Sequence, residues 1–232
     1  MIIRLKKTND LRPASLTLAG LLTILLSFVF ANVSTAADRI TIPIEGSSSG
    51  PPAGWDLKEW KGTARFDVVD TEAGKTIHLR SSSTSSALYR DIEFDIREYP
   101  YINWRWKVTT VPQGADVRKK STDDQAAQVY VIFPRFPALV NSRLVGYIWD
   151  TGAPAGSTVT STKTSNTRYI VIRSGQTGLG EWFTEKRNVY EDYKKLFGEE
   201  PPMVGKVSVM IDSDDTESAA ESYIGGIYFS KE

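Results

Sequence analysis

The chain contains no cysteine and only one histidine, His78, among its 232 residues. The absence of cysteine excludes disulfides and thiolate metal sites, so stability has to come from buried apolar surface. A single imidazole excludes a His-rich zinc site. No Gly-x-Ser-x-Gly motif marks a nucleophilic serine. We interpret His78 as an ordinary residue of a predicted strand and not as a general base.

The chain also lacks an excess of charge of either sign, with 28 basic and 28 acidic residues. Without the first 37 residues, 24 basic and 27 acidic residues remain. Proteins that bind nucleic acid carry a basic face or stripe. The composition therefore gives no indication of a nucleic-acid partner.

One long apolar run is present, from Leu16 to Val33, and four basic residues precede it. Ser34 and Ala36 follow at the spacing that signal peptidase accepts. This pattern predicts a secretory signal peptide over residues 1–37 and a periplasmic or secreted mature chain that does not bind the membrane. The alternative is an uncleaved N-terminal anchor, because a run of 18 residues can just span a bilayer.

Residues 38–232 have the length of one full-sized domain. Short apolar or alternating segments, separated by Gly, Pro, Ser, Asn and Asp, predict an all-β fold. With no helical crossovers between them, the strands predict a jelly-roll-like antiparallel β-sandwich. The predicted strands are Ile40 to Ile44, Ala64 to Val69, Thr76 to Arg80, Ala87 to Phe94, Tyr101 to Val108, Gln128 to Phe133, Leu144 to Trp149, Arg168 to Arg173, Lys206 to Ile211 and Gly226 to Phe229.

Two tryptophans, Trp104 and Trp106, share one face of the predicted strand from Tyr101 to Val108. Aromatic side chains of this size fill cores more often than they form sugar-stacking platforms, so we assign both to the core. Arg105 lies between them and faces the opposite way.

One short accessory helix is predicted after Asn188, whose side chain is placed to cap it, while Glu191 completes a capping box. The helix is predicted to end at Phe197. Gly198 suits the left-handed position after the last turn, and Pro201 and Pro202 prevent continuation.

The densest acidic segment is Asp212 to Glu217. Clustered carboxylate oxygens on a loop suit calcium, so Asp212, Asp214 and Asp215 are the candidate metal ligands. The segment is not an EF-hand, because Glu217 stands where a glycine is required. The alternative is a solvated turn without a metal. No other cofactor is indicated.

Asp123 and Asp124, with Asp214, are the candidate catalytic residues. Two carboxylates about 5 to 10 Å apart can act as acid and base on a glycosidic bond. The alternative is that the aspartates form turns or pair with arginine.

The candidate ligand-binding residues combine aromatic and polar side chains. A tryptophan face can stack on the apolar side of a sugar ring while polar groups bind its hydroxyls. Two tryptophans lie next to loop segments, and three polar residues accompany them: Trp149, Trp182, Arg105, Arg187 and Asn188.

Several blocks occur in an order that resembles a bacterial exported family catalogued as domain of unknown function 3047. They extend from about Trp55 to the C-terminus and include Trp104 to Val108, Asp123 to Val131, Tyr147 to Trp149, Gly180 to Trp182, Arg187 to Val189, Asp212 to Thr216 and Tyr223 to Phe229. The resemblance implies no activity, substrate or site residue. The chain departs from the family pattern at Gln128, where a basic residue is usual, and at Asp215, where asparagine is usual.

Three classes of function stay open. The leading hypothesis is a non-enzymatic module that binds a carbohydrate or another envelope polymer. The second is a hydrolase or lyase that cleaves a glycan with paired carboxylates. The third is an envelope interaction module that uses exposed sheet edges. The oligomeric state is not predicted.

Overall fold

The computed structural model describes residues 38–46 and 49–232, so the predicted signal peptide lies outside the described residues. These described residues form thirteen strands and two short helices: β1 (Arg39–Thr41), β2 (Asp56–Lys61), β3 (Arg65–Thr71), β4 (Gly74–Ser82), β5 (Ser85–Phe94), β6 (Tyr101–Thr110), β7 (Ala127–Phe133), α1 (Ala138–Asn141), β8 (Arg143–Asp150), β9 (Thr158–Thr160), β10 (Thr167–Ser174), β11 (Phe183–Asn188), α2 (Val189–Phe197), β12 (Val204–Asp212) and β13 (Ala219–Ser230). A 3-10 turn covers Lys120–Thr122.

The strands form two sheets, which confirms the predicted sandwich. Sheet A has the order β11-β6-β13-β4-β3, with β1 also paired to β13. Sheet B has the order β2-β5-β12-β7-β8-β10-β9. The 12-residue β13 pairs with three strands and therefore organises sheet A.

One strand pair differs from the antiparallel prediction. β8 and β10 pair in parallel, whereas the other pairs of the described strands are antiparallel. A parallel pair needs a crossover of a dozen or more residues, and residues 151–166 provide it without a helix. The short β9 lies within this crossover and pairs with β10.

The core lies between the sheets and contains the tryptophans of β6. Trp104 and Trp106 are fully buried, as predicted, and meet edge to face at 5.4 Å between ring centroids. Trp106 packs in the same way on Trp149 of β8 at 5.9 Å. Burial of one large apolar side chain contributes about 1.5–3 kcal/mol, so this aromatic contact between the sheets is a main source of stability.

The predicted accessory helix is α2. Asn188 accepts a hydrogen bond from the Glu191 backbone N–H at 3.0 Å, and Gly198 takes a left-handed conformation with φ of 72°. Val189 and Tyr193 are buried against the sandwich. In the part of the chain that the structure describes, no helix has the length and apolar character needed to cross a membrane.

Candidate functional site

The face of sheet A that turns away from the core carries a row of polar and aromatic side chains, which we call the outer face. Alternation along β6 buries Trp104 and Trp106 and turns Arg105 and Lys107 outward. Lys107 is in register with Tyr223 of β13. Tyr223 is in register with His78 of β4 on its other side.

Four side chains of the outer face form a cation–aromatic ladder: Trp182, Lys107, Tyr223 and His78. The Lys107 ammonium lies 5.1 Å from the Trp182 ring centroid and 4.6 Å from that of Tyr223. Tyr223 stacks on His78 with 4.2 Å between ring centroids and 5° between the planes. All four are half-buried, so their rings and charges are fixed by mutual contact but remain reachable from solvent.

A loop places Trp182 in the ladder. Residues 175–182 connect β10 to β11, and the Gly180 N–H donates to the Val108 carbonyl at 2.8 Å. This bond ties the loop to β6. The guanidinium of Arg105 also lies over the Trp182 ring, with its Cζ 5.6 Å from the ring centroid. Both predicted ligand residues Arg105 and Trp182 therefore lie at one site.

The carboxylates of the outer face are engaged by other groups. Asp67 pairs with Arg65 at 3.0 Å and with Arg80. Glu221 receives His78 Nε2 at 2.7 Å and the Thr109 hydroxyl at 2.9 Å. Burial raises the pKa of Glu221, but these hydrogen bonds outweigh it and keep the pKa below its usual value.

Arg105 also borders a cleft of about 420 Å³ between the N-terminal segment and β6. A β-bulge in β13 lies beside it, because the register with β6 shifts between Gly225 and Tyr228. A Cβ at Gly225 would lie 2.6 Å from Thr76 Cγ2, so this position excludes a side chain. The cleft is lined by polar and apolar groups that include Arg39, Thr41, Ile44, Thr184 and Tyr228.

The other three predicted ligand residues lie elsewhere. Trp149 is fully buried and its indole N–H donates to the Gly175 carbonyl at 3.0 Å, so it belongs to the core and offers no surface to a ligand. Trp149 was predicted to be accessible because a loop follows it in the sequence. The sequence did not show that β8 lies in the interior of sheet B, between β7 and β10. Asn188 is the N-cap of α2. Arg187 pairs with Asp192 of the same helix.

Three residues of the ladder were not predicted from the sequence as ligand-binding residues: Lys107, Tyr223 and His78. Period-2 spacing was a sufficient signal for Lys107, which is two residues after Arg105 on the same strand. Tyr223 was missed because β13 was predicted to begin only at Gly226. His78 faces outward as an ordinary strand residue would, but its stacking on Tyr223 depends on the strand order.

The acidic residues singled out from two distant segments meet in a second constellation, the acidic cluster: Asp123, Asp124, Asp212, Asp214 and Asp215. Asp124 is fully buried and accepts bonds from the backbone N–H groups of Asp215 at 3.1 Å and Thr216 at 2.7 Å. It therefore holds the turn after β12 in place. The Lys163 ammonium lies 2.7 Å from Asp215 Oδ2 and neutralises part of the cluster.

The structure changes the set of candidate metal ligands. Asp124, Asp214 and Asp215 each offer an oxygen within 4.8 Å of the other two. Asp212 is not in this set because the last position of β12 turns it inward, where it accepts bonds from Gln125 N–H and Gln128 Nε2. Burial raises the pKa of Asp212 well above its usual value. Both oxygens of Asp124 already accept hydrogen bonds, so the protein itself satisfies much of this cluster.

The oxygens of the candidate catalytic residues are also largely engaged by hydrogen bonds within the protein. Asp123 is buried, and its oxygens accept from Gln125 Nε2 at 2.9 Å and from the Thr162 hydroxyl at 3.1 Å. Burial raises its pKa above the usual value for aspartate. Asp214 retains partial exposure, 14% of its side chain. Asp123 and Asp124 are therefore buried and hydrogen-bonded, unlike the open acid–base pair that glycoside cleavage requires, whereas Asp214 Oδ1 has no hydrogen-bond partner among the described residues.

Comparison with solved structures gives distant similarities of fold. A family 11 carbohydrate-binding module of a cellulosomal cellulase of Clostridium thermocellum has 6% identity and a TM-score of 0.45, over 84% of this chain and 96% of the module. A family 30 carbohydrate-binding module of another cellulosomal cellulase of Clostridium thermocellum has 13% identity and a TM-score of 0.46, over 84% of this chain and 98% of the module. These structures are β-sandwiches, as this chain is.

No curated protein matches the sequence. A family model described as "Protein of unknown function (DUF3047)" matches residues 53–228, which are most of the chain. This match agrees with the resemblance that the ordered sequence blocks show. The chain belongs to the family DUF3047.

Proposed function

We propose that the protein is a glycan-binding module whose ligand lies on the outer face of sheet A, along the cation–aromatic ladder and the adjoining cleft. The observation that carries the proposal is the clustering of Trp182 and Tyr223 with Arg105 and Lys107 on one exposed sheet face. Aromatic groups contact the apolar parts of a sugar ring, and charged side chains bind its hydroxyls.

The site also has the rigidity that favours binding. Lys107 is held between two rings, and Tyr223 is held between Lys107 and His78. Side chains that are already ordered lose little conformational entropy when a ligand arrives. A strand scaffold fixes them further, because β4, β6 and β13 are adjacent strands in the interior of sheet A.

Binding without cleavage is the proposed activity because two of the three candidate carboxylates of the enzyme alternative serve the fold. Asp123 and Asp124 hold loops through hydrogen bonds. The carboxylates of the outer face, Asp67 and Glu221, are paired with Arg65, Arg80 and His78.

The test compares two tryptophans in a binding titration against oligosaccharides from cell-wall and storage polysaccharides. We expect Trp182→Ala to weaken binding about tenfold or more, which corresponds to about 1.4 kcal/mol. Trp60→Ala is the matched control, because Trp60 is 59% exposed on β2 of sheet B. Circular dichroism checks that both variants fold. An unmodified protein that binds no glycan, or equal losses in the two variants, would contradict the proposal.

We also propose export with removal of the N-terminal signal segment of about 37 residues, which would bring the module to envelope polymers. Mass spectrometry of the protein from fractionated cells should find a mature form that begins at Ala37 or Asp38. A chain that retains residues 1–37 in the membrane fraction would support the anchor alternative instead.

The protein-partner alternative is favoured by one feature, the edge strand β2. All six of its residues are exposed, including Leu57 and Trp60. Such an edge can accept a strand from a partner, although Lys58 and Lys61 are the kind of residue that protects edges from pairing. Co-purification of one stoichiometric partner with the unmodified protein, lost in Trp60→Lys, would support this alternative.

A further inference from the structure

We infer that the glycan is anionic and that Arg105 and Lys107 bind its carboxylate or sulfate groups. The inference rests on the proposed function and names the class of ligand for that site. It depends on the balance of charges on the outer face and on the surroundings of these two side chains.

The two cations lack acidic partners. On the same face, Arg65 and Arg80 share Asp67. Within residues 38–46 and 49–232, neither Arg105 nor Lys107 forms an ion pair. The nearby Glu221 is occupied by His78 and Thr109. The ladder therefore carries an uncompensated positive charge.

Arg105 has, in addition, a donor that needs an acceptor. Its Nε atom is buried and has no hydrogen-bond partner among the described residues. Buried donors in proteins are nearly always bonded, so an unbonded one calls for an explanation. A guanidinium binds carboxylate, sulfate and phosphate groups through two parallel hydrogen bonds, and when one of them comes from Nε a ligand oxyanion in the cleft supplies the missing acceptor.

The ammonium group of Lys107 is held in one position by aromatic contacts, unlike that of a flexible surface lysine. Its ammonium lies over the rings of Trp182 and Tyr223, which remove part of its water and fix its position. A partly desolvated cation gains more from a ligand anion than a hydrated one does. A neutral sugar would leave both charges uncompensated.

The charge is a local feature, since the chain as a whole has a formal net charge of zero. Two unpaired cations on one sheet face are too few for the basic stripe of a nucleic-acid binder. Together with Trp182 and Tyr223 they fit a sugar ring that carries an oxyanion.

The experiment measures binding of the full chain to matched charged and uncharged oligosaccharides. Oligogalacturonate and oligomannuronate are compared with their methyl esters, which keep the backbone and remove the charge. Sulfated and unsulfated galacto-oligosaccharides form a second set, so the two sources of oxyanion are distinguished. We expect at least one charged form to bind tenfold or more tightly than its neutral counterpart, with an affinity that falls between 50 and 200 mM salt.

Variants locate the effect. Lys107→Gln and Arg105→Gln should each weaken binding of the charged form more than binding of the neutral form, so that the preference for the charged form falls several-fold. Lys58→Gln, on the exposed edge strand β2, is the control and should retain the preference. Equal binding of charged and neutral forms would overturn this inference and leave the proposed function standing. No binding of either form in any set would overturn both.

Discussion

Two lysine ammonium groups face the carboxylates of the acidic cluster: that of Lys61 lies 4.0 Å from Asp214 Oδ2, and that of Lys163 lies closer. Lys163 contacts Asp215 at 2.7 Å, and this hydrogen bond, together with the carboxylates of Asp212 and Asp123, raises the pKa of Lys163 above the usual value for lysine although burial acts against this. Lys163 belongs to the crossover between β8 and β10. It thus brings a positive charge to the acidic cluster, where the sequence suggested calcium. The charge is covalently attached and permanent.

We expect Lys163→Gln to lower the free energy of unfolding by about 1 kcal/mol, since solvent screens a pair that is 41% exposed on the lysine side. Urea unfolding measures this. Calcium should raise the melting temperature of the variant more than that of the unmodified protein, because the variant's carboxylates have lost their nearest counter-ion. Lys58→Gln serves as the control. Equal calcium responses of variant and unmodified protein would show that Lys163 does not fill the role of the cation.

Residue types were predicted from the sequence better than their partners. The acidic segment was recognised, but Asp212 was chosen as a ligand and Asp124 as an acid, whereas Asp124 lies beside Asp214 and Asp215. The inward turn at the end of β12 and the approach of a distant loop decide this. Neither is a local property of the sequence. Arg105 and Trp182, by contrast, were both correctly placed outside the core.

At the scale of elements, the α2 helix shows how much a local signal can establish. Its start at Asn188 and its end at Gly198 were both predicted from capping chemistry and are confirmed. These signals act over four residues and need no tertiary contact. Alternation of apolar and polar residues is also a local signal, and each of the ten strands predicted from it overlaps a strand of the structure.

We expect Asn188→Ala to destabilise the protein by about 1 kcal/mol, because the Glu191 N–H loses its acceptor. Thermal unfolding of the variant measures the effect. Asn188→Asp keeps an acceptor and should restore most of the loss. A full loss in the aspartate variant would show that Asn188 acts through some other contact.

Three strands escaped prediction for different reasons. β2 is exposed along its whole length and shows no alternation of burial. β9 has only three residues. β11 reads Phe-Thr-Glu-Lys-Arg-Asn, in which the inward positions hold Glu185 and Arg187, and these are satisfied by Arg173 and Asp192 and not by apolar packing. Polar inward residues at a sheet edge remove the hydrophobic pattern on which prediction depends.

At the scale of the whole molecule, the parallel pairing of β8 and β10 required knowledge of the path of the crossover. Residues 151–166 contain many Ser and Thr and indicated only a loop. Two-sheet packing, in contrast, followed from composition and alternation, because half-buried strands without helices have few other ways to bury their apolar faces.

Acid stability belongs to this scale because several carboxylates act together. Hydrogen bonds from Arg118 outweigh burial and lower the pKa of Asp116 to about 2, and arginine partners also lower those of Asp67 and Asp95. A carboxylate with a depressed pKa stabilises the fold above its unfolded pKa, near 3.8, and this contribution is lost as the pH falls toward 2.

We therefore expect the free energy of unfolding to decrease between pH 4 and 2, and Asp116→Asn to decrease less over this interval. Urea unfolding at fixed ionic strength measures both curves. The buried Asp123, Asp150 and Asp212 act in the opposite sense, since their raised pKa values favour the protonated folded form as the pH falls. Parallel curves for Asp116→Asn and the unmodified protein would contradict the prediction.

The distribution of the six tryptophans makes the chain its own optical reporter. Trp55, Trp104, Trp106 and Trp149 are buried, Trp60 is exposed on β2, and Trp182 is half-buried on the outer face. In a Trp60→Phe background, changes in solvent quenching of the intrinsic fluorescence would come chiefly from Trp182. Iodide, as an anion, should be drawn to Arg105 and Lys107 and quench this emission more than neutral acrylamide does, and a bound ligand should shield it from both.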